Sequence, residues 1–191
     1  MDAEADVSQK HDSPLSESGK KELSQVREWF EGLDIHKVYY SPYERARQTA
    51  VELFGHRNLP TEELDFVHEF MKPSRLVGIP YIESAKYWKE NVDNLYISDW
   101  QPEDGESFNQ IAQRAERLRK FLWERHRDEN VAVVTHGTYM KHIVGKWTMG
   151  DKYTPEVFLD LLYRLHLLPN GAVIEFEVDE DKVKIVRWKH E

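Results

Sequence analysis

A chain of 191 residues, 40% apolar and 32% charged, is long enough to bury one sizeable core, and none of its apolar runs reaches the length of a membrane-spanning helix. Its net charge of -9 speaks against general nucleic-acid binding, and its lack of cysteine excludes disulfides and thiol chemistry. The opening MDAEADVSQKH is polar and acidic, unlike a signal or transit peptide, so a cytoplasmic location without membrane partners is expected.

In chain order, Ser16 to Leu33 reads as an amphipathic helix capped by Ser16, because Leu23, Val26, Trp29 and Phe30 recur at helical spacing. His36 to Tyr40 is a short strand. Ser41 to Phe54 is a helix, with Ser41 as N-cap, Pro42 at the first helical position and Glu44 closing a capping box. Ala46, Ala50 and Leu53 form its apolar side. Leu64 to Phe70 reads as a strand or extended segment. Residues 73–103 are irregular and aromatic, and read as a partly helical insertion, a lid or specificity segment over about 73–104.

Ser107 to His126 carries a long helical stripe through Phe108, Ile111, Ala115, Leu118 and Leu122. Asn130 to Thr135 contains VAVV, the pattern of a strand buried on both faces. A helix follows from Tyr139 to about Met149, then a shorter one around 155–165. The closing AVIEFEVDEDKVKIVRW reads as two strands around a tight acidic turn. Strands alternating with helices argue for one α/β domain over 1–191, a three-layer α/β/α sandwich with a mostly parallel sheet.

Ligands in such sheets sit outside the carboxyl ends of the strands. That rule selects two strand ends that open helices: Tyr40–Ser41 with Arg45 beyond, and Thr135-His136-Gly137. Arg45 sits near the positive end of a helix dipole, which disfavours a cation unless an anion is near. It reads either as a phosphate clamp or as a surface arginine paired with Glu44 or Glu52. Arg47 faces elsewhere and reads as solvated. His136 reads as a base, nucleophile or phosphate contact, or as a hydrogen-bonded structural residue, and Gly137 permits close approach to the backbone. Glu69 reads as a proton donor in a partly apolar pocket or as a surface glutamate. The nine histidines show no HxH, HxxxH or HExxH spacing, and His136 and His142 fall on different faces of a helix, so no metal and no cofactor is expected. Lys72, Arg75 and Lys86 either favour extra anionic groups or are solvated.

Taken together, these segments resemble the histidine phosphatase superfamily, the phosphoglycerate-mutase-like group. PLSESGKKEL is similar to that family's LTxxGxxQA, YYSPYERARQTA to SSPLxRAxQTA, GESFNQIAQRAERL to GESxxxxxxR, and VAVVTHG to VLVVSHG. VHEF stands where the family places an acidic residue, and LPNGAVIEFEV resembles its closing strand. The resemblance runs from about Pro14 to Trp188. It implies phosphoglycerate-mutase-like architecture and metal-independent hydrolysis of a small phosphorylated substrate through a phosphohistidine. Arg45 is then a phosphate arginine, His136 the second histidine and Glu69 the proton donor, with Gly137 and Thr138 adding backbone N–H contacts to phosphate.

The family's opening strand ends in Arg-His-Gly and supplies the nucleophile. Here the expectation is that this first strand is absent: in one register Met1 and Asp2 stand at the Arg and His positions, and His11 lies in the following loop. Loss of a central strand would expose two strand edges and a core face and leave the chain poorly stable. The non-hydrolytic alternative is a pseudophosphatase that binds phosphorylated ligands through Arg45 and His136. A phosphoglycerate-type mutase is a further alternative.

Overall fold

Two strands that alternate their side chains between opposite faces set the layers of the molecule. The structure is a computed structural model and describes residues 10, 13–163, 168–180 and 182–189. Strand β1 (Lys37–Tyr40) lies between β2 (Thr61–Glu63) and β3 (Val131–Val134), parallel to both, with Val38 opposite Thr61 and Ala132. Because successive strand residues point to opposite faces, Val38 and Tyr39 enter different cores.

On one face Val38 and Ala132 pack with Leu23 and Val26 of helix α1 (Glu17–Phe30) and Ala50, Leu53 and Phe54 of α2 (Glu44–Phe54). The opposite face has its own helices. There Tyr39 packs with Ile111, Ala115 and Leu118 of α4 (Phe108–Arg125) and Tyr139, Ile143 and Trp147 of α5 (Gly137–Met149). Trp147 donates its indole N–H to the Ala115 carbonyl at 2.8 Å and ties α5 to α4. Burying each of the Val, Leu, Ile and Phe side chains among them is worth about 1.5–3 kcal/mol, so both faces contribute to the core.

The closing hairpin, β4 (Val173–Val178) with β5 (Val183–Lys189), is antiparallel. Val173 packs into the α1–α2 layer, while Phe176 and Val178 pack into the α4–α5 layer. The hairpin thus continues the middle layer, although among the described residues β3 is laddered only to β1 and β4 only to β5. No helix of the described residues is long and apolar enough to cross a membrane.

Helix α1 starts where expected: the Ser16 hydroxyl accepts from the Gly19 N–H at 3.1 Å. Helix α4 has a full capping box between Ser107 and Gln110. Residues 73–103 are partly helical, with a 3₁₀ turn at Ser74–Leu76, α3 (Tyr81–Glu90) and a 3₁₀ run at Val92–Tyr96. The short helix expected at 155–165 appears as α6 (Pro155–Val157) followed by a π-helical run Phe158–Tyr163; residues 164 and 165 lie outside the described residues.

Local expectations differ at several points. Ser41 does not cap α2; the helix begins at Glu44 with Tyr43 as N-cap, because the Ser41 hydroxyl has other partners. The strand expected at Leu64–Phe70 is instead β2 at Thr61–Glu63, a 3₁₀ turn at Asp65–Val67 and an irregular run. The carbonyls of Phe66 and His68 accept from Arg114 rather than from a neighbouring strand. Helix α5 opens at Gly137, two residues earlier than its apolar stripe suggests. In β3 only Ala132 is fully buried, so VAVV is less enclosed than its composition implies. The positions assigned to Met1, Asp2 and His11 lie outside the described residues.

Candidate active site

The ends of β1 and β3 come side by side because the ladder runs one residue past the strands: the Ser41 N–H donates to the Val134 carbonyl at 3.0 Å. Two residues on, His136 is buried, and its Nε2 shares a 2.7 Å hydrogen bond with the Ser41 hydroxyl. Ser41 is fully buried and also accepts from the Tyr43 N–H at 3.3 Å. The serine that reads as a helix cap therefore orients a histidine.

Tyr43 is the aromatic centre of the cluster. Its ring lies 4.9 Å from His136, stacks at 6.2 Å on His68 and carries the Arg45 guanidinium over its face at 5.0 Å. Burial raises the Tyr43 phenol above its ordinary range, so it stays neutral near neutral pH. Arg45 donates to the Lys10 carbonyl at 3.1 Å. Its surface pairing with Glu44 or Glu52 does not occur: Glu44 binds Arg47 and Gln48, and Glu52 lies beside Arg27. Burial pulls the Arg45 guanidinium below its ordinary value, opposed by the charge of Glu69.

Glu69 reaches the start of α5. One carboxylate oxygen accepts from Tyr139 N–H at 2.9 Å and Phe70 N–H at 2.8 Å, the other from Thr138 N–H at 3.2 Å. A carboxylate at a helix N-terminus satisfies orphan donors and meets a favourable dipole. The Thr138 N–H, expected to serve phosphate, is thus held by Glu69 in this structure. Gly137 is exposed at the mouth of the site, and a side chain there would meet nothing within 4 Å.

Glu69 is placed by a buried ion pair. Arg114 donates bidentately to Glu106, both contacts at 2.8 Å, with side-chain exposures of 10% and 7%. The same guanidinium donates to the Phe66 and His68 carbonyls at 3.0 and 2.8 Å. The Thr135 hydroxyl donates to the Val67 carbonyl at 2.6 Å. Three consecutive carbonyls are therefore tied down just before Glu69. Both ends of the GES…R motif act here, a role its spacing alone did not disclose.

Two lysines complete the surroundings. Lys72 follows Glu69 by three residues, and Lys141 lies one turn into α5 beyond Gly137. Both are half-buried. Burial lowers each ammonium below its ordinary value, and Glu69 opposes the shift in both. Lys141 carried no sequence signal beyond its place on the helix after THG. His142 lies elsewhere, stacked on Phe158 at 4.1 Å and bonded to the Tyr153 hydroxyl at 2.7 Å. Among the described residues no group of three or more His, Asp or Glu side chains is placed to hold a metal ion.

The profile described as "Histidine phosphatase superfamily (branch 1)" matches residues 2–191. The adenosylcobalamin/alpha-ribazole phosphatase of Escherichia coli (strain K12) is 25% identical over 139 residues, 70% of this chain and 66% of that protein. The fructose-2,6-bisphosphatase TIGAR B of Danio rerio is 25% identical over 121 residues, 62% of this chain and 47% of that protein. The chain thus matches just under two thirds of the one relative's length and about half of the other's. Among solved structures, Bacillus stearothermophilus YhfR superposes with a TM-score of 0.80 at 23% identity, covering 96% of this chain and 88% of that one. The alpha-ribazole phosphatase from Shigella flexneri superposes at 0.77 and 19% identity, covering 98% and 89%. Both share the fold.

Proposed function

The chain belongs to the histidine phosphatase superfamily, and from that premise we propose that it is a metal-independent phosphomonoesterase working through a phosphohistidine. One observation carries the reading: Arg45 and His136 flank the same Tyr43 ring at the carboxyl ends of β1 and β3, with Glu69 anchored on the helix that His136 caps. Phosphoryl transfer needs positioning and charge neutralisation more than covalent help from the protein. Arg45 offers a planar fork to phosphoryl oxygens, and His136, steadied by Ser41, adds a second contact. Gly137, exposed and next to His136, opens α5 there.

In this mechanism the ester P–O bond breaks while the phosphoryl group passes to a histidine nitrogen. Glu69, as the acid, gives its proton to the departing alkoxide. Water then attacks the phosphohistidine, Glu69 takes back the proton, and phosphate leaves. Glu69 must release the Thr138 N–H as substrate arrives, which frees a backbone donor for a phosphoryl oxygen. The two curated relatives are named as phosphatases of small phosphorylated compounds, which supports the same substrate class here.

A second reading rests on the same geometry: Arg45 and His136 on either side of Tyr43 can hold a phosphoryl group whether or not a nucleophile attacks it. Under that reading the same cluster binds phosphorylated ligands without turnover. Hydrolysis of p-nitrophenyl phosphate in EDTA separates the two. The phosphatase reading predicts turnover that falls about a hundredfold or more in Arg45→Ala and His136→Ala. Absent turnover, with phosphate still raising Tm in the wild type and not in Arg45→Ala, supports the binder. Turnover that ignores both substitutions contradicts the assignment.

A further inference from the structure

The hydroxyl of Ser41 is spent on a histidine rather than on a helix. Helix α2 begins without a side-chain cap, and the serine ahead of it reaches His136 Nε2 at 2.7 Å. Both residues are held by their backbones. The Ser41 N–H donates to the Val134 carbonyl, and the His136 carbonyl accepts from Met140 N–H at 2.8 Å as α5 begins. The Tyr43 ring lies 4.9 Å from the imidazole, tilted by 56° against it. A strand ladder, a helix start and an aromatic wall therefore fix the pair.

A serine hydroxyl has one proton to give and two lone pairs to offer. Ser41 is fully buried, and its oxygen already accepts from Tyr43 N–H at 3.3 Å. Two arrangements of the remaining bond exist. In the first, the Ser41 O–H donates to His136 Nε2, and a neutral imidazole then carries its proton on Nδ1. The hydroxyl is satisfied as donor and as acceptor. In the second, Nε2–H donates to Ser41, and the hydroxyl hydrogen is left without an acceptor among the described residues. Stranding a buried donor shifts such an equilibrium by about tenfold or more. The first arrangement wins. A backbone carbonyl in place of the serine would select the opposite tautomer, since it has no proton to give to Nε2.

We infer that Ser41 is a positioning residue that holds neutral His136 as its Nδ1–H tautomer, so that His136 meets a phosphoryl oxygen through Nδ1. The inference deepens the phosphate-site reading given above and rests on it. A phosphoryl oxygen is an acceptor and needs an N–H opposite it. With Nε2 committed to Ser41, the N–H offered is the one on Nδ1. Without the serine, the proton can move to Nε2, the form that histidine favours in water, and Nδ1 then turns a lone pair on the anion.

The test is nitrogen-15 NMR of the full chain with labelled histidine, at a pH where the ring is neutral, with His136→Asn identifying the His136 signals. The wild type should show His136 as Nδ1–H. Ser41→Ala should move it to Nε2–H or to exchange between the two forms, and Ser41→Thr, which keeps a hydroxyl, should restore Nδ1–H. Titrated inorganic phosphate should shift the His136 signals, and Ser41→Ala should bind it about tenfold more weakly, the loss of one well-formed hydrogen bond. Nε2–H in the folded wild type overturns the inference before any variant is made, and it leaves the phosphate site standing. Nδ1–H that persists in Ser41→Ala overturns the role of the serine. A changed tautomer with undiminished phosphate affinity overturns it as well. Saturating phosphate that moves no His136 signal overturns the phosphate site and the positioning role together, whichever tautomer is present.

Discussion

Arg114 and Glu106 show how a few buried charges can place a carboxylate they do not touch through its oxygens. Their pair is nine-tenths buried, and Arg114 spends its remaining donors on the Phe66 and His68 carbonyls. Removing one member leaves the other charged, buried and unpaired, which typically costs about 3–5 kcal/mol. Arg114→Met should therefore destabilise the fold by about that amount in urea denaturation. Arg114→Met with Glu106→Leu should cost less than Arg114→Met alone, because the stranded carboxylate is gone. A double variant no more stable than the single would contradict the pair as the source. At this scale the motifs made Arg45, Glu69 and His136 visible as candidates. They could not disclose Ser41, whose serine-proline context is equally good for capping, nor Tyr43, whose value lies in contacts across two strand ends. Contacts of that kind depend on which loops meet, and linear spacing carries little of that.

Elements place the site through their ends rather than their middles. Segment 68–73 has no regular structure, yet it carries Glu69 and Lys72, and its position is set by where α4 begins. Gly105 sits just before that start, where a Cβ would lie 2.8 Å from the Met71 carbonyl oxygen, 2.9 Å from that of Pro102 and 3.0 Å from the Pro73 nitrogen. These neighbours are backbone atoms and have little room to give. Gly105→Ala should cost about 1–3 kcal/mol by overpacking, read as a lowered denaturation midpoint. Wild-type stability in that variant would show that the two segments are not in contact. The same region explains one misreading of the sequence. Leu64, Phe66 and Val67 are buried, so their composition suggests a strand, but the segment turns as a 3₁₀ helix and gives its carbonyls to Arg114 and Thr135. Helix α4 and the start of α1 were legible almost to the residue, because capping serines and long apolar stripes act locally, whereas α1 ends at Phe30, three residues before the expected Leu33.

Across the whole molecule, three layers follow from alternation along β1 and β3, and the chain order of strands and helices was enough to anticipate them. The pairing of the middle layer was not legible, since ladder partners are long-range choices. One buried histidine gives the whole fold a pH dependence. His142 is enclosed by Tyr153, Phe158 and Phe108, and burial drives its pKa down from 6.5 to about 3. Below pH 6.5 the unfolded chain takes up a proton that the folded chain refuses. Stability is therefore present above about pH 6.5 and is lost as pH falls toward 3, by up to about 1.4 kcal/mol per pH unit from this residue. His142→Gln should flatten the fall of Tm between pH 6.5 and 4.5 relative to wild type. Parallel curves for the two proteins would contradict the assignment.

The central claim is that Arg45 and His136 hold a phosphoryl group at the carboxyl ends of β1 and β3. Its most direct test is a crystal structure of the protein grown with tungstate, a phosphate mimic that anomalous scattering locates without ambiguity. The account predicts one tungstate with oxygens at about 3 Å from the Arg45 guanidinium and the His136 ring, and Glu69 drawn off the Thr138 N–H. Tungstate bound elsewhere, with this cluster empty at saturating concentration, would contradict it.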